Sequence, residues 1–204
     1  MAALLDFSKG FAAIAYAGEV PWHGYGKQLD PDADLDQWRI AAGLDYTVEA
    51  QPLYFFNDIA NETQELDGTV ALQRRDTGAI LSTVSDRYKI VQPGEVLEFY
   101  RAIAKEEGFT METAGALSGG KRVWALASIG DDFTLYGQDR TKGMVLFATS
   151  YDGTFATQAR WTSVRVVCNN TLTAAIPHGS RMVNAEEGDD VYKVPHSVEF
   201  DIKK

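Results

Sequence analysis

The apolar positions of this chain fall into short blocks whose period changes from one segment to the next. In "DLDQWRIAAGLD", Leu35, Trp38 and Ala42 share one helical face, Asp34 stands where an N-cap belongs and Gly43 is a natural stop. "PGEVLEFYRAIAKEEGF" is the clearest helix. Pro93 opens it, Val96, Leu97, Tyr100, Ile103 and Ala104 form one stripe, and Gly108 ends it, which predicts one long helix over about 93–107. Elsewhere the period is two. "YTVEAQPLYFF" alternates, and "TVALQRRDTGAILSTV" reads as a hairpin through "RDTG". "FTMETAGAL" and "RVWALASIG" flank "SGGK" as a second hairpin, and "MVLFATSYDGTFATQARWTSVRVVC" reads as two strands turning at "YDGT". From Asn169 the pattern shifts to "NTLTAAI", a helix start. Residues 1–33 read as an apolar helix or arm followed by the turn-rich "EVPWHGYGKQLDPDAD".

This order of elements predicts an α+β fold: antiparallel β-hairpins forming a sheet packed against one long helix, with an N-terminal arm. The chain divides into an arm with a short helix (1–45), an α+β core (46–183) and a charged tail (184–204), all within a single domain. With 204 residues, 45% of them hydrophobic, it is long enough to bury a sizeable core. No run of 18 apolar residues occurs, and Asp6 interrupts the apolar N-terminus without a basic stretch before it. Neither a membrane span nor a signal peptide is expected. The single cysteine fits a reducing compartment, so the expected location is the cytoplasm.

Charge divides the chain more sharply than hydropathy does. The net charge is −10, and residues 1–70 carry −9 of it, with 3 Lys/Arg against 12 Asp/Glu. Residues 71–183 hold 13 against 11, and residues 184–204 hold 3 against 6. Such acidity argues against indiscriminate coating of nucleic acid, and any polyanion site belongs in the middle of the chain.

The familiar catalytic patterns fail one by one. "GALSGGKR", residues 115–122, lacks the Ser or Thr that ends a phosphate-binding loop, and a strand follows it where a helix is required. A basic hairpin tip with Lys121 and Arg122 is the better reading. Cys168 sits in the apolar run "VRVVCNN" as a small buried hydrophobe, with His23, His178 and His196 as the available bases. Those three histidines have no metal-ligand spacing. His23, in the turn "PWHGYG" with Trp22 and Tyr25, reads as a structural anchor. The carboxylate runs, such as Asp30, Asp32, Asp34 and Asp36, mark solvated faces. No enzyme activity, cofactor or metal is expected.

What remains is a basic and aromatic set. Arg74, Arg75, Arg87, Lys89, Lys121, Arg122, Arg140, Lys142, Arg160 and Arg165 interleave with Tyr88, Trp124, Tyr151, Phe155 and Trp161. Arginine beside aromatics on strands is the composition of a single-strand platform, where bases stack and phosphates pair. Strand alternation puts Arg160, Thr162 and Val164 on one face and Trp161, Ser163 and Arg165 on the other. Asn169 and Asn170 are placed to cap a helix start or to meet a phosphate. The candidate nucleic-acid-binding residues are therefore Arg74, Arg75, Lys121, Arg122, Tyr151, Arg160, Trp161, Arg165 and Asn169, and an ordinary mixed sheet remains the alternative reading of the same pattern.

"PWHGYGKQL", "VSDRYKIVQPGEVLEF" and "SYDGTFATQARWTSVRVVCNNTL" together resemble the family called phage/plasmid-like protein, a domain of unknown function spread through prophages, phages and plasmids. The resemblance runs from residue 20 to 176. It implies a role in a mobile genetic element inside a bacterial cell. The helix flanked by hairpins is also similar in architecture to phage single-strand annealing proteins of the Red-beta type and to the eukaryotic Rad-type annealers. That likeness implies single-stranded DNA as partner, with RNA left open, and a ring or filament of identical subunits. The leading expectation is a non-enzymatic protein that binds single strands and promotes annealing or recombination. The alternative is an acidic interaction factor, or inhibitor of host defence, that binds protein and not DNA. Basic residues gathered along one groove favour the first; scattered basic residues beside an acidic face favour the second.

Overall fold

A computed structural model describes residues 4–30, 32–107, 109–135, 139–176, 191–194 and 196; the side chains of residues 101–107, 129–135, 139–142, 191, 192 and 194 are not described. Among the described residues the architecture is α+β, with two sheets and three α-helices. The strands are β1 (Ile14–Tyr16), β2 (Lys27–Gln28), β3 (Val48–Asn57), β4 (Glu62–Arg74), β5 (Ile80–Ser85), β6 (Phe109–Leu117), β7 (Arg122–Leu135), β8 (Asp139–Ser150), β9 (Thr157–Thr162) and β10 (Val191–Val194). The helices are α1 (Leu35–Ala41), α2 (Pro93–Glu107) and α3 (Asn169–Ala175).

The expected hairpins divide between the two sheets. One has the order β3-β4-β5, and the other β10-β9-β8-β7-β6-β1-β2, antiparallel except where β1 and β2 run parallel. The N-terminal segment is neither helix nor separate arm: β1 lies inside the larger sheet, with Ile14, Ala15 and Tyr16 opposite Gly115, Ala114 and Thr113. Its apolar run has no alternation because both faces are covered. Ala13, Ala15 and Ala17 join one core cluster, and Ala12 and Ile14 join the other. A second correction concerns "SVRVVC". The last strand of that hairpin ends at Thr162, and residues 163–168 run irregularly into α3.

α1 forms where the local signals place it. The Asp34 carboxylate accepts the Gln37 N–H at 2.8 Å, and the Gln37 side chain accepts the Asp34 N–H at 3.0 Å. Such a reciprocal cap contributes about 1 kcal/mol. Gly43 then leaves the helix at φ +68. α2 is closed at its start by Glu95, whose carboxylate accepts the Gln92 N–H at 2.5 Å.

The larger sheet is buried on both faces. On one, Ala114, Ala116, Ala125 and Ala127 meet Trp38 of α1, Val96, Leu97 and Tyr100 of α2, and Val48, Leu72 and Leu81 of the smaller sheet. The alanines keep this face shallow, so the Tyr100 hydroxyl reaches the main chain. It lies 2.7 and 2.8 Å from the carbonyls of Ala125 and Val145 and accepts the Phe147 N–H at 2.9 Å. On the other face, Trp124, Leu126, Leu146 and Ala148 pack under Val166, Val167, Leu172 and Ile176. Gly115 makes room for the Trp124 indole there: a Cβ at that position would lie 2.5 Å from the ring and 2.5 Å from the Ala13 carbonyl.

Candidate interaction surfaces

The nine candidate residues do not converge. Arg74 is fully enclosed. Its guanidinium pairs with Asp6, donates to both Asp76 oxygens at 2.7 and 3.0 Å and to the Gly119 carbonyl at 3.2 Å, and lies over the Tyr46 ring at 3.9 Å. Tyr151 is equally buried, donating its hydroxyl to Val91 O at 2.8 Å. Neither side chain offers an atom to a ligand from this position, and both act in the core.

Arg75 stands in the turn after β4, 3.3 Å from Glu49. Arg165 is turned back on the N-terminal segment, donating to Ala17 O at 3.0 Å and Glu19 O at 2.8 Å, with Glu112 beside it at 3.7 Å. Arg160 and Trp161 lie on β9 opposite Leu146 and Val145, so they face opposite sides of the sheet, as alternation predicts. Trp161 stands 48% exposed.

Lys121, Arg122 and Asn169 do come together. The tip joining β6 to β7 is the tight turn Ser118–Gly120, with Gly119 at φ +73, where a side chain would be strained. Arg122 leaves this tip donating to Asn169 Oδ1 at 2.7 Å and to Asp152 at 3.3 Å. The tip is no free finger: Tyr46 donates to Gly120 O at 3.0 Å, and the Lys121 carbonyl accepts the Tyr151 N–H at 2.8 Å. Tyr88, close by, donates to Ser150 O at 2.8 Å and stacks on His196 at 4.3 Å. Burial pushes the Tyr88 hydroxyl well above its ordinary range, and the Asp152 charge adds to this. Burial lowers the His196 imidazole despite the opposing pull of the Lys89 and Phe155 carbonyls. Among the described residues, Arg87, Lys89 and Lys121 are the exposed or half-exposed cations of this region without an ion pair.

The histidine and cysteine readings also find their places. His23 ties its turn to the chain before α3, its Nε2–H donating to Val167 O at 3.0 Å while Nδ1 accepts the Tyr25 N–H at 3.1 Å. Cys168 is buried, with Thr171 Oγ1 accepting its N–H at 3.0 Å. His178, Arg140 and Lys142 fall on residues or side chains outside those described.

Sequence reasoning passed over the most exposed apolar feature. β3 and β4 pair from Val48–Arg74 to Asn57–Glu62, whereas β5 covers β4 only from Thr69 to Gln73. Beyond that point the sheet continues as a two-stranded ribbon. Tyr54 and Phe56 are 60% and 62% exposed, and Ile59 at its tip is 95% exposed. By register, Tyr54 and Phe56 share a face with Glu65 and Thr63, while Phe55 and Asn57 share the other with Gln64 and Glu62. Between Arg39 and Arg74 the chain has no Lys or Arg, against six carboxylates: Asp45, Glu49, Asp58, Glu62, Glu65 and Asp67. The signal was present as "LYFF" inside this cation-free stretch, an aromatic run without the polar alternation that a half-buried strand shows.

No helix of the described residues is long and apolar enough to cross a membrane, and no group of three metal-ligating side chains gathers among them. No curated protein and no solved structure matches the chain. Residues 80–203, from β5 through the tail, match the family described as Domain of unknown function (DUF932). The ribbon lies before that segment, and α2, the Lys121–Arg122 tip and the β9 strand lie inside it. The match spans more than half of the sequence, and the chain belongs to the DUF932 family.

Proposed function

We propose that this is a non-enzymatic protein-binding factor whose working surface is the acidic, aromatic ribbon of β3 and β4. One observation carries the reading: residues 54–65 leave the body as two strands with large apolar side chains exposed on both faces, inside a stretch that has carboxylates and no cations. Large apolar side chains exposed together and rimmed by polar residues mark interaction sites. Carboxylates around them select a cationic partner and repel polyanions. The basic residues support the same choice, since Arg74, Arg75, Arg122 and Arg165 are each committed to carboxylates or carbonyls within the chain. On the resemblance to phage/plasmid-like proteins, the partner we propose is a component of host defence in the cytoplasm of a bacterial host, met by an acidic inhibitor.

A photo-crosslinking residue at Tyr54, Phe56 or Ile59, with the same probe at Thr77 as control, tests this in cells of such a host. The expected result is a discrete adduct from the ribbon positions that Glu62→Lys/Glu65→Lys abolishes. Equal labelling from Thr77, or no adduct, would sink the reading.

A second reading has its own observation. Trp161 is half-exposed beside Arg160, and Arg87, Lys89 and Lys121 of the DUF932 segment have no ion pair among the described residues. On this reading the family segment binds single-stranded DNA and promotes annealing, as a homo-oligomer. Labelled oligothymidine titrated across salt decides it. Affinity that falls steeply with salt and is weakened by Arg87→Ala/Lys89→Ala/Lys121→Ala supports strand binding, because each phosphate contact adds to the salt slope. Absence of binding at low salt removes it.

A further inference from the structure

The smaller sheet loses a strand before it ends. β5 pairs with β4 from Gln73–Ile80 to Thr69–Ser85, and its last bond is from the Asp86 N–H to Gly68 O at 3.2 Å. The reason it stops is local. Gly68 adopts φ +73, and the β3–β4 register breaks between Pro52 and Tyr54, so β4 steps away from the line of β5. Beyond the step, β4 runs through Glu62–Glu65 with β3 on one side and, among the described residues, no strand on the other. Among those residues nothing fills the third-strand position there, over about 14 Å.

The two edges of this sheet are defended differently. On β3, the Gln92 side chain accepts the Val48 N–H at 2.9 Å and donates to the Val48 carbonyl at 3.0 Å, and Pro52 has no N–H to offer. Those are standard ways to close an edge to pairing, and both sit before the ribbon, where β3 from Tyr54 to Asn57 carries aromatic side chains and no carboxylate. On the tip of β4 the only protection is charge, from Glu62, Glu65 and Asp67. Charge excludes a second copy of the same edge, because pairing would set carboxylates against carboxylates. It admits a strand of opposite sign.

We infer that the open side of β4 at Glu62–Glu65 receives an extended cationic segment of a partner protein, which adds to β4 as a third strand. This deepens the docking-arm reading and rests on it. Main-chain bonds to β4 supply the alignment, as in other strand additions. Lys or Arg opposite Glu62 and Glu65, on opposite faces of the ribbon, supply selectivity. Their aliphatic stems lie toward the aromatic side chains of β3.

The probe is a fluorescent, end-capped octapeptide of Lys and Val in which two Lys stand three positions apart, so that they fall on opposite faces of an added strand, added to the full chain. Two controls accompany it: a Glu–Val octapeptide, and a Lys–Val octapeptide with every second backbone nitrogen methylated. Binding of the first peptide alone, with slowed amide exchange across 62–65 and about tenfold weakening in Glu62→Lys/Glu65→Lys, is the expected result. These side chains are exposed, so the variant keeps its fold. Equal binding of the methylated peptide would overturn strand addition while leaving the ribbon as a docking arm, which the Ile59 adduct reports separately. Self-association in sedimentation that disappears in Glu62→Lys/Glu65→Lys would overturn the cationic partner in favour of a second copy. Loss of both peptide binding and adduct ends both readings.

Discussion

Arg74 and Asp6 form an ion pair in the interior, with side chains 0% and 2% exposed, although they stand 68 positions apart in sequence. The pair fastens the N-terminal segment to β4, and the same guanidinium reaches the Gly119 carbonyl at the β6–β7 tip. Removing one partner leaves the other charge buried and uncompensated. Arg74→Met is expected to cost about 3–5 kcal/mol in urea denaturation, and the Asp6→Asn/Arg74→Met double variant less than the two single costs together. Additive losses would show that the two side chains are not coupled.

The same cluster sets an acid limit on stability. Burial pushes the Asp6 carboxyl up, but hydrogen bonds from Ser8 and the Arg74 guanidinium outweigh it and hold the group below its ordinary value. Burial likewise opposes, and Arg74 with Lys9 overcomes, the shift at Asp76. A carboxylate whose folded pKa is depressed contributes stability above its unfolded pKa, and that contribution is lost as pH falls through the folded value. Stability is therefore expected to decline as pH drops below the ordinary carboxylate range. The decline should be shallower in the Asp6→Asn/Arg74→Met variant, measured as urea midpoints from neutral to acid pH.

Tyr100 tests how far the shallow alanine face matters. Tyr100→Phe keeps the ring and removes the hydroxyl that the Phe147 N–H and two carbonyls share. The expected loss is about 1–3 kcal/mol by thermal or urea unfolding, the cost of leaving buried main-chain groups unpaired.

On the ribbon, the opposite outcome is expected. Tyr54→Ser, Phe56→Ser and Ile59→Ser remove exposed side chains and should change unfolding free energy by no more than about 0.5 kcal/mol each. They should nevertheless abolish partner capture by a probe retained elsewhere on the ribbon. Loss of fold in these variants would mean that the ribbon packs against the body.

The helices were legible because their signals are local. Asp34 and Gln37 can satisfy one another within three residues, and Val96, Leu97 and Tyr100 of α2 join one core cluster. The hairpins were legible as pairs, but not their division between two sheets, which is decided by which faces Leu72, Leu81 and Val48 share with α2. Arg74 and Tyr151 read as surface because nothing next to them in sequence shows the carboxylate and carbonyl that hold them. Asp6 is distant, and although Asp76 adjoins Arg75 in "RRD", which arginine it serves depends on the turn. β1 was illegible for a related reason. A strand covered on both faces has no alternation, so "FAAIAYA" looks equally like part of a helix.

The pairing of β1 with β6 also dictates an order of events during synthesis. Ile14 finds its partner Gly115 roughly a hundred residues later, and contacts of such long range make folding slow. Until β6 has emerged, the apolar N-terminal segment has no sheet to join, and Asp6 and Arg74 remain solvated charges without the tip that completes their enclosure. The N-terminal strand thus waits for β6 while β7 to β10 are still to come, and the DUF932 segment taken from residue 80 onward would leave open to water the edge of β6 that β1 covers.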